Sequence, residues 1–252
     1  MVERHRIFLL SPASVSGERA NLVFSERARS AIAQRLRTTE GVPLGDVFSF
    51  LSGLYFRGKL AYANAFADPP PGVPGVLVIT TCRGLVTPGR HVTLNDLRAF
   101  ARVPIDLAEP RYRRPLARDA RVIREAAGPD CDVVLLGSVA TGKYVDVLMA
   151  RFGDRLRFPE AFVGRGDMSR GGLLLRAIAD ARELDYIPIA GAQRHGPRPP
   201  KLERRTPGLL AAVLRSVSSR EDAVPPPSAP MGAAGPGRVT SGARRAVPPR
   251  RA

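Results

Sequence analysis

The run Asp132-Val-Val-Leu-Leu136, followed at once by Gly137-Ser-Val-Ala-Thr-Gly-Lys143, constrains this chain more than any other segment. A short, valine-rich apolar run bounded by glycine reads as a strand buried on both faces. The loop then opens a helical pattern over residues 143–152. The same order of strand, loop and helix recurs along the chain. Residues 6–10, 76–80 and 185–189 read as further strands. Residues 156–158 and 161–163 are shorter strand candidates, split by Pro159. Helical spacing covers residues 18–37, 44–67, 94–102, 115–127 and 168–183. The second of these is expected to kink at Gly53 or Gly58, and Pro115 suits the first turn of the fourth. This alternation predicts an α/β fold, a mainly parallel or mixed sheet flanked by helices.

Composition divides the chain in two. Of its 252 residues, 44% are hydrophobic and 25% charged, which is ordinary for a globular protein. After Ala190 the sequence turns rich in Pro, Gly and Arg. We therefore expect a folded domain over 1–192 and a basic, mostly disordered tail over 193–252, with one helical island at 207–217. A domain of that length buries roughly 70% of its unfolded surface. The formal charge is +16, of which the tail carries +9 and the domain +7. Such a balance favours acidic partners, nucleic acid or a nucleotide among them. It also matches a coding bias, because 36 of the 39 basic residues are arginine. No stretch approaches the roughly 18 apolar residues of a membrane span, so no membrane partner is expected. The apolar run at residues 7–10 is too short for a signal peptide, and the two cysteines, Cys82 and Cys131, make no disulfide framework. A cytoplasmic location is the expectation. His5, His91 and His195 are scattered without metal-ligand spacing, so no metal site is expected. Nothing in the sequence names a cofactor.

Ligands of open α/β sheets sit beyond the carboxyl ends of the strands, so four strand-exit loops draw attention. The first begins at Ser11 and precedes a helix; its hydroxyls suit an anion or simply cap the helix. In the second, Cys82 is either a thiol activated by Arg83 or a buried, inert cysteine. The third, from Gly137 through Ser138 to Gly142 and Lys143, spells G-x-x-x-x-G-K, the start of a phosphate-binding loop. Tyr144 stands where that motif needs a Ser or Thr for magnesium, so an ATPase or GTPase is not the reading. A simpler phosphate contact and a ligand-free turn both remain. The fourth, residues 163–172, holds four glycines with Arg165, Asp167 and Arg170. Asp167 suits a helix cap, and the two arginines suit bidentate binding of phosphate or carboxylate. If the sheet is parallel here, Arg165 and Arg170 face Lys143 across one cleft. A further segment, 54–62, interleaves Tyr55, Phe56 and Tyr62 with cations. That pattern fits base stacking, or a helix turning its aromatics into the core.

Four of these segments resemble a known family. The opening Ile7-Phe-Leu-Leu-Ser-Pro-Ala13 is similar to the start of the YaaA peroxide-stress-resistance family. Arg83-Gly-Leu-Val-Thr-Pro88, Ser138 through Val145, and Arg165-Gly-Asp-Met-Ser-Arg170 resemble its later segments in the same order. The first two are equally similar to a related group of uncharacterised bacterial α/β domains. The resemblance implies one mixed α/β domain, DNA binding and a role in limiting oxidative damage. It carries no catalytic set. Three readings follow: a DNA-binding, stress-protective protein without turnover; an enzyme acting on a nucleotide, nucleobase or modified base; and a scaffold whose basic tail recruits an acidic partner.

Overall fold

The computed structural model describes residues 4–203. The expected helical island and most of the expected tail lie outside the described residues. The chain forms a six-stranded mixed sheet with helices on both faces. Its strands are β1 (His5–Leu10), β3 (Val76–Ile79), β4 (Leu85–Val86), β6 (Cys131–Leu136), β7 (Leu156–Pro159) and β8 (Tyr186–Pro188). Their order is β4-β3-β1-β6-β7-β8. The four central strands run parallel, and the two edge strands β4 and β8 are antiparallel to their neighbours. A separate antiparallel pair joins β2 (Val42–Pro43) to β5 (His91–Val92).

Alternate side chains of each strand feed two cores. Phe8, Leu10, Val78, Val134 and Leu136 point to one face. There they meet α3 (Leu44–Ser52), α4 (Leu54–Phe66), α5 (Leu94–Ala101) and α8 (Asp167–Ala179). Ile7, Leu9, Ile79, Val133 and Leu135 point to the other. They pack on α6 (Pro110–Ala127) and α7 (Gly142–Phe152). Apolar burial on both faces explains why β6 carries no alternation of polar residues.

Several local expectations change. Residues 18–37 form two short helices, α1 (Glu18–Phe24) and α2 (Ala31–Arg35), rather than one. The Arg37 guanidinium holds the break together, donating to the carbonyls of Val23, Ser25 and Ala33. Gly53, at φ 64°, separates α3 from α4, a conformation that favours glycine. Helix α6 begins at Pro110, capped by the Glu109 carboxylate on the Arg111 amide, so Pro115 lies inside it. Residues 160–162 make a 3₁₀ turn instead of a strand. Helix α8 stops at Ala179, where Ala181 takes a positive φ and the Arg182 amide donates back to the Ala177 carbonyl. No helix among the described residues is long and apolar enough to cross a membrane.

Gly58 of α4 and Gly171 of α8 decide how those two helices meet. A Cβ on Gly58 would lie 3.0 Å from the Gly171 carbonyl oxygen, and one on Gly171 would lie 3.0 Å from the Tyr55 Cα. The helices therefore touch backbone to backbone. This contact brings residues within one turn of each glycine, Tyr55 and Lys59 on α4 and Asp167 and Arg170 on α8, toward the carboxyl end of β1.

Candidate functional site

Strands β1 and β6 lie side by side in register, Leu10 opposite Leu136, and the Ser11 amide donates to the Leu136 carbonyl at 3.1 Å. From β1 the chain next joins the sheet at β3 on one side; from β6 it next joins at β7 on the other. This reversal is the topological switch point, where crevices open in sheets of this kind. Ser11 and Ser138 leave the sheet at its mouth. Gly137 lets them converge: a Cβ there would sit 2.8 Å from the Ser11 Cβ.

The crevice is a cleft of about 440 Å³ lined by Ser11, Ser138, Tyr55, Tyr144 and Asp167, with Glu18 and Arg19 of α1. At its floor lies Lys59, only 1% exposed. Its Nζ donates to the Ser11 carbonyl at 2.5 Å and to the Ser11 Oγ at 2.8 Å. It also stands 4.6 Å from the Tyr55 ring centre and 4.9 Å from that of Phe56. Burial pulls the Lys59 pKa down to about 7, against the opposing attraction of Asp167, and Arg170 pushes it the same way as burial.

Arg170 is the second buried cation. Its Nε and Nη2 both donate to the Phe162 carbonyl at 3.2 Å, and its Nη1 lies 3.6 Å from Asp167 Oδ1. The Asp167 side chain is 69% exposed, so it offsets these two cations weakly. Among the described residues the buried Tyr55 hydroxyl has no hydrogen-bond partner of good geometry, although the Arg170 guanidinium lies close enough to favour its ionised form. Burial outweighs that pull and drives the Tyr55 pKa up. Tyr144 hydrogen-bonds to the Ser11 side chain and the Ser138 backbone, and burial raises its pKa as well.

The cleft thus gathers Ser11, Ser138 and Asp167, with Arg170 packed beside them. It does not gather the other expected anion ligands. Lys143 is exposed and does not line the cleft; its carbonyl accepts from the Tyr112 hydroxyl at 2.9 Å. Gly142 faces Asp146, which lies within 2.4 Å of where a Cβ would stand. Lys143 therefore does not join Asp167 on the cleft wall, and the loop after β6 presents Tyr144 there instead. Arg165 ties its own loop together, donating to the Ala161 carbonyl, the Ser169 hydroxyl and the Pro200 carbonyl. Residues 197–203 accordingly run past the loop before α8 and on along that helix. Arg83 pairs with Asp96, away from the cleft. The Cys82 thiol is pushed up by burial more than Arg83 pulls it down, so the activated-thiol reading fails.

The sequence reading missed Lys59 and Tyr144. Lys59 falls four residues after Tyr55, on the apolar side of α4, and only that spacing betrays its burial. Tyr144 stands out in sequence merely as the residue that breaks a phosphate-loop pattern.

A larger hollow of about 540 Å³ lies elsewhere, lined by Arg176, Arg182, Glu183 and Asp185 among others. Two of its charged groups are already engaged: Glu183 pairs with Arg6 at 2.8 Å, and Arg176 donates to the Glu203 carbonyl. The cleft at Ser11 is the stronger site because it lies at the switch point and its buried polar groups, Lys59, Ser11 and Tyr144, converge there. Among the described residues no cluster of three or more His, Cys, Asp or Glu side chains is placed to hold a metal ion. Comparison of the chain with protein-family models, curated proteins and solved structures gives no match.

Proposed function

We propose that the chain is an enzyme acting on a nucleotide or nucleobase derivative held in the switch-point cleft. The observation that carries this reading is Lys59, an ammonium group buried beneath a cleft and bonded to its serine. Burying a cation costs stability unless it is paired, and structural positions rarely tolerate it. Titratable groups perturbed this strongly at the base of a cleft mark functional sites. The volume suits one nucleotide-sized molecule. Lys59, Arg170 and Arg19 outnumber Asp167 and Glu18, which leaves net positive charge for a phosphate, while Ser138 and the Tyr55 hydroxyl offer hydrogen bonds to a sugar or base.

Titration calorimetry of the full chain against nucleoside mono-, di- and triphosphates, free nucleobases and inorganic phosphate tests the reading. At least one nucleotide should bind more tightly than inorganic phosphate. Arg19→Ala removes a cation that lines the cleft, and should weaken that nucleotide about tenfold, the order of one charge-assisted hydrogen bond. Failure of every nucleotide and nucleobase to bind would remove the proposal.

A second reading, binding of nucleic acid without turnover, rests on a different surface. Exposed Arg113 and Arg114 of α6 and Arg151 of α7 share a shallow hollow of about 380 Å³. The resemblance to the peroxide-stress family points the same way. Under this reading duplex DNA binds with steep salt dependence, because arginine contacts to phosphate release counterions.

A further inference from the structure

We propose that Ser11 is a covalent nucleophile and Lys59 its general base, for transfer or hydrolysis of an acyl group carried as an ester or mixed anhydride by the molecule in the cleft. The inference rests on the cleft being an enzyme's site and adds the reaction to it. Three observations carry it. Ser11 sits at the end of the first central strand, on the cleft wall, with its Oγ 2.8 Å from Lys59 Nζ. Among the described residues no carboxylate lies in salt-bridge range of the lysine, and Asp167 attracts it only from a distance, so its charge is not locked by an ion pair. The Tyr55 hydroxyl, buried on the same wall beside the Arg170 guanidinium, keeps its proton as a donor for the substrate's carbonyl oxygen.

Neutral Lys59 accepts the Ser11 hydroxyl proton as Oγ bonds to the acyl carbon. The bond from that carbon to the leaving oxygen then breaks. The leaving oxygen takes the proton from the Lys59 ammonium. In the second half a water gives its proton to Lys59 and its oxygen bonds to the acyl carbon. The Oγ–carbon bond breaks and Ser11 recovers the proton. The products are a carboxylic acid and the alcohol or phosphate, with Lys59 neutral again. A lysine serves as such a base only when desolvated, and the fully buried Lys59 is desolvated here. The groups facing it are Asp167 and Arg170 from α8, Tyr55 from its own helix and Tyr144 through Ser11. Both tyrosines have pKa values raised by burial, so neither titrates near neutrality.

An alkyl fluorophosphonate tests the pair without knowledge of the substrate. Its P–F bond breaks as Oγ bonds to phosphorus, the proton passes to Lys59 and fluoride leaves. Intact mass and peptide mapping of the full chain should show one adduct, at Ser11. The rate should climb about tenfold per pH unit below neutrality, as a single base is uncovered, and level off above it. Ser11→Ala should give no adduct, and Lys59→Met should react about a hundredfold more slowly, the low end for loss of a general base. No adduct at Ser11, an adduct elsewhere, or equal rates with Lys59→Met would overturn the proposal. If Lys59→Met fails to fold, a flat pH profile in the natural chain does so instead. Labelling at Ser11 without nucleotide binding would keep the nucleophile and remove the nucleotide. Nucleotide binding with Ser11 unlabelled would do the reverse.

Discussion

Lys59→Met should melt at a higher temperature than the natural chain at pH 6 while losing the reactivity of Ser11. The folded protein holds Lys59 at a pKa of about 7, against an ordinary 10.5. That gap corresponds to about 5 kcal/mol of penalty on the charged form, an upper bound for what methionine relieves. The hydrogen bonds from Nζ to Ser11 are lost in exchange, which returns about 1–3 kcal/mol. A net gain of about 2 kcal/mol raises the midpoint by roughly 5 °C in a domain of this size. The sign with pH follows from proton counting. Below pH 7 both states of the natural chain hold the proton, and the cost is constant and full. Between about 7 and 10.5 the unfolded chain keeps a proton that the folded chain has lost, so the natural protein gains stability as pH rises. The advantage of methionine is thus largest in acid and fades through the alkaline range. Melting curves at pH 6 and pH 9 check it. A variant less stable than the natural chain at both would show that Lys59 is a structural tie between α4 and the end of β1. A gain in stability with loss of reactivity is the trade expected where a site keeps a group the fold alone would reject.

The sheet was largely legible in sequence because its signal is local. Runs such as residues 132–136 carry their strand character in themselves, and the parallel centre follows from helices placed between them. The short strands β2, β4 and β5 were not legible. Two residues carry no periodicity, and Leu85–Val86 is a strand only because β3 accepts it as an edge. The one-helix reading of residues 18–37 failed for a similar reason: the break is held by Arg37, twelve residues beyond Ser25. The site divides in the same way. Ser11, Ser138 and Asp167 were visible because strand-exit loops are the place to look in such a sheet. Lys143 looked stronger than they did, since a glycine-lysine pair at a helix start matches a known chemistry. One step along a helix turns the side chain by about 100°, however, and α7 gives the cleft Tyr144 rather than Lys143. Lys59 was hidden because burial is a tertiary property. Nothing within α4 shows that α8 will cover that face.

Replacing Gly171 by valine should separate the two halves of the site. Glycine inside a helix ordinarily costs about 1 kcal/mol against alanine, so an interior glycine needs a packing reason. Helix α8 supplies a comparison within itself. At Gly172 a Cβ would meet only the Leu202 Cδ1 at 3.5 Å, an ordinary contact. Gly172→Ala should therefore raise stability by about 0.5–1 kcal/mol through helix propensity. At Gly171 the same atom would meet the Tyr55 Cα at 3.0 Å and the Leu54 carbonyl oxygen at 3.1 Å. Both are backbone atoms of α4 and cannot rotate away, so the helices themselves must part. Overpacking of this kind costs about 1–3 kcal/mol, and valine adds bulk and lower helix propensity to it. The displacement acts on the pairs that make the cleft. Tyr55 and Lys59 ride on α4, Asp167 and Arg170 on α8, and the Gly58–Gly171 contact holds them together. Gly171→Val should melt several degrees lower, and even well below its midpoint it should bind nucleotide and react with the fluorophosphonate far more weakly than the natural chain. Gly172→Ala should bind and react as the natural chain does. A Gly171→Val protein with unchanged melting and unchanged reactivity at Ser11 would mean that the helix crossing does not position the site, and that the cleft is assembled by the strand ends alone.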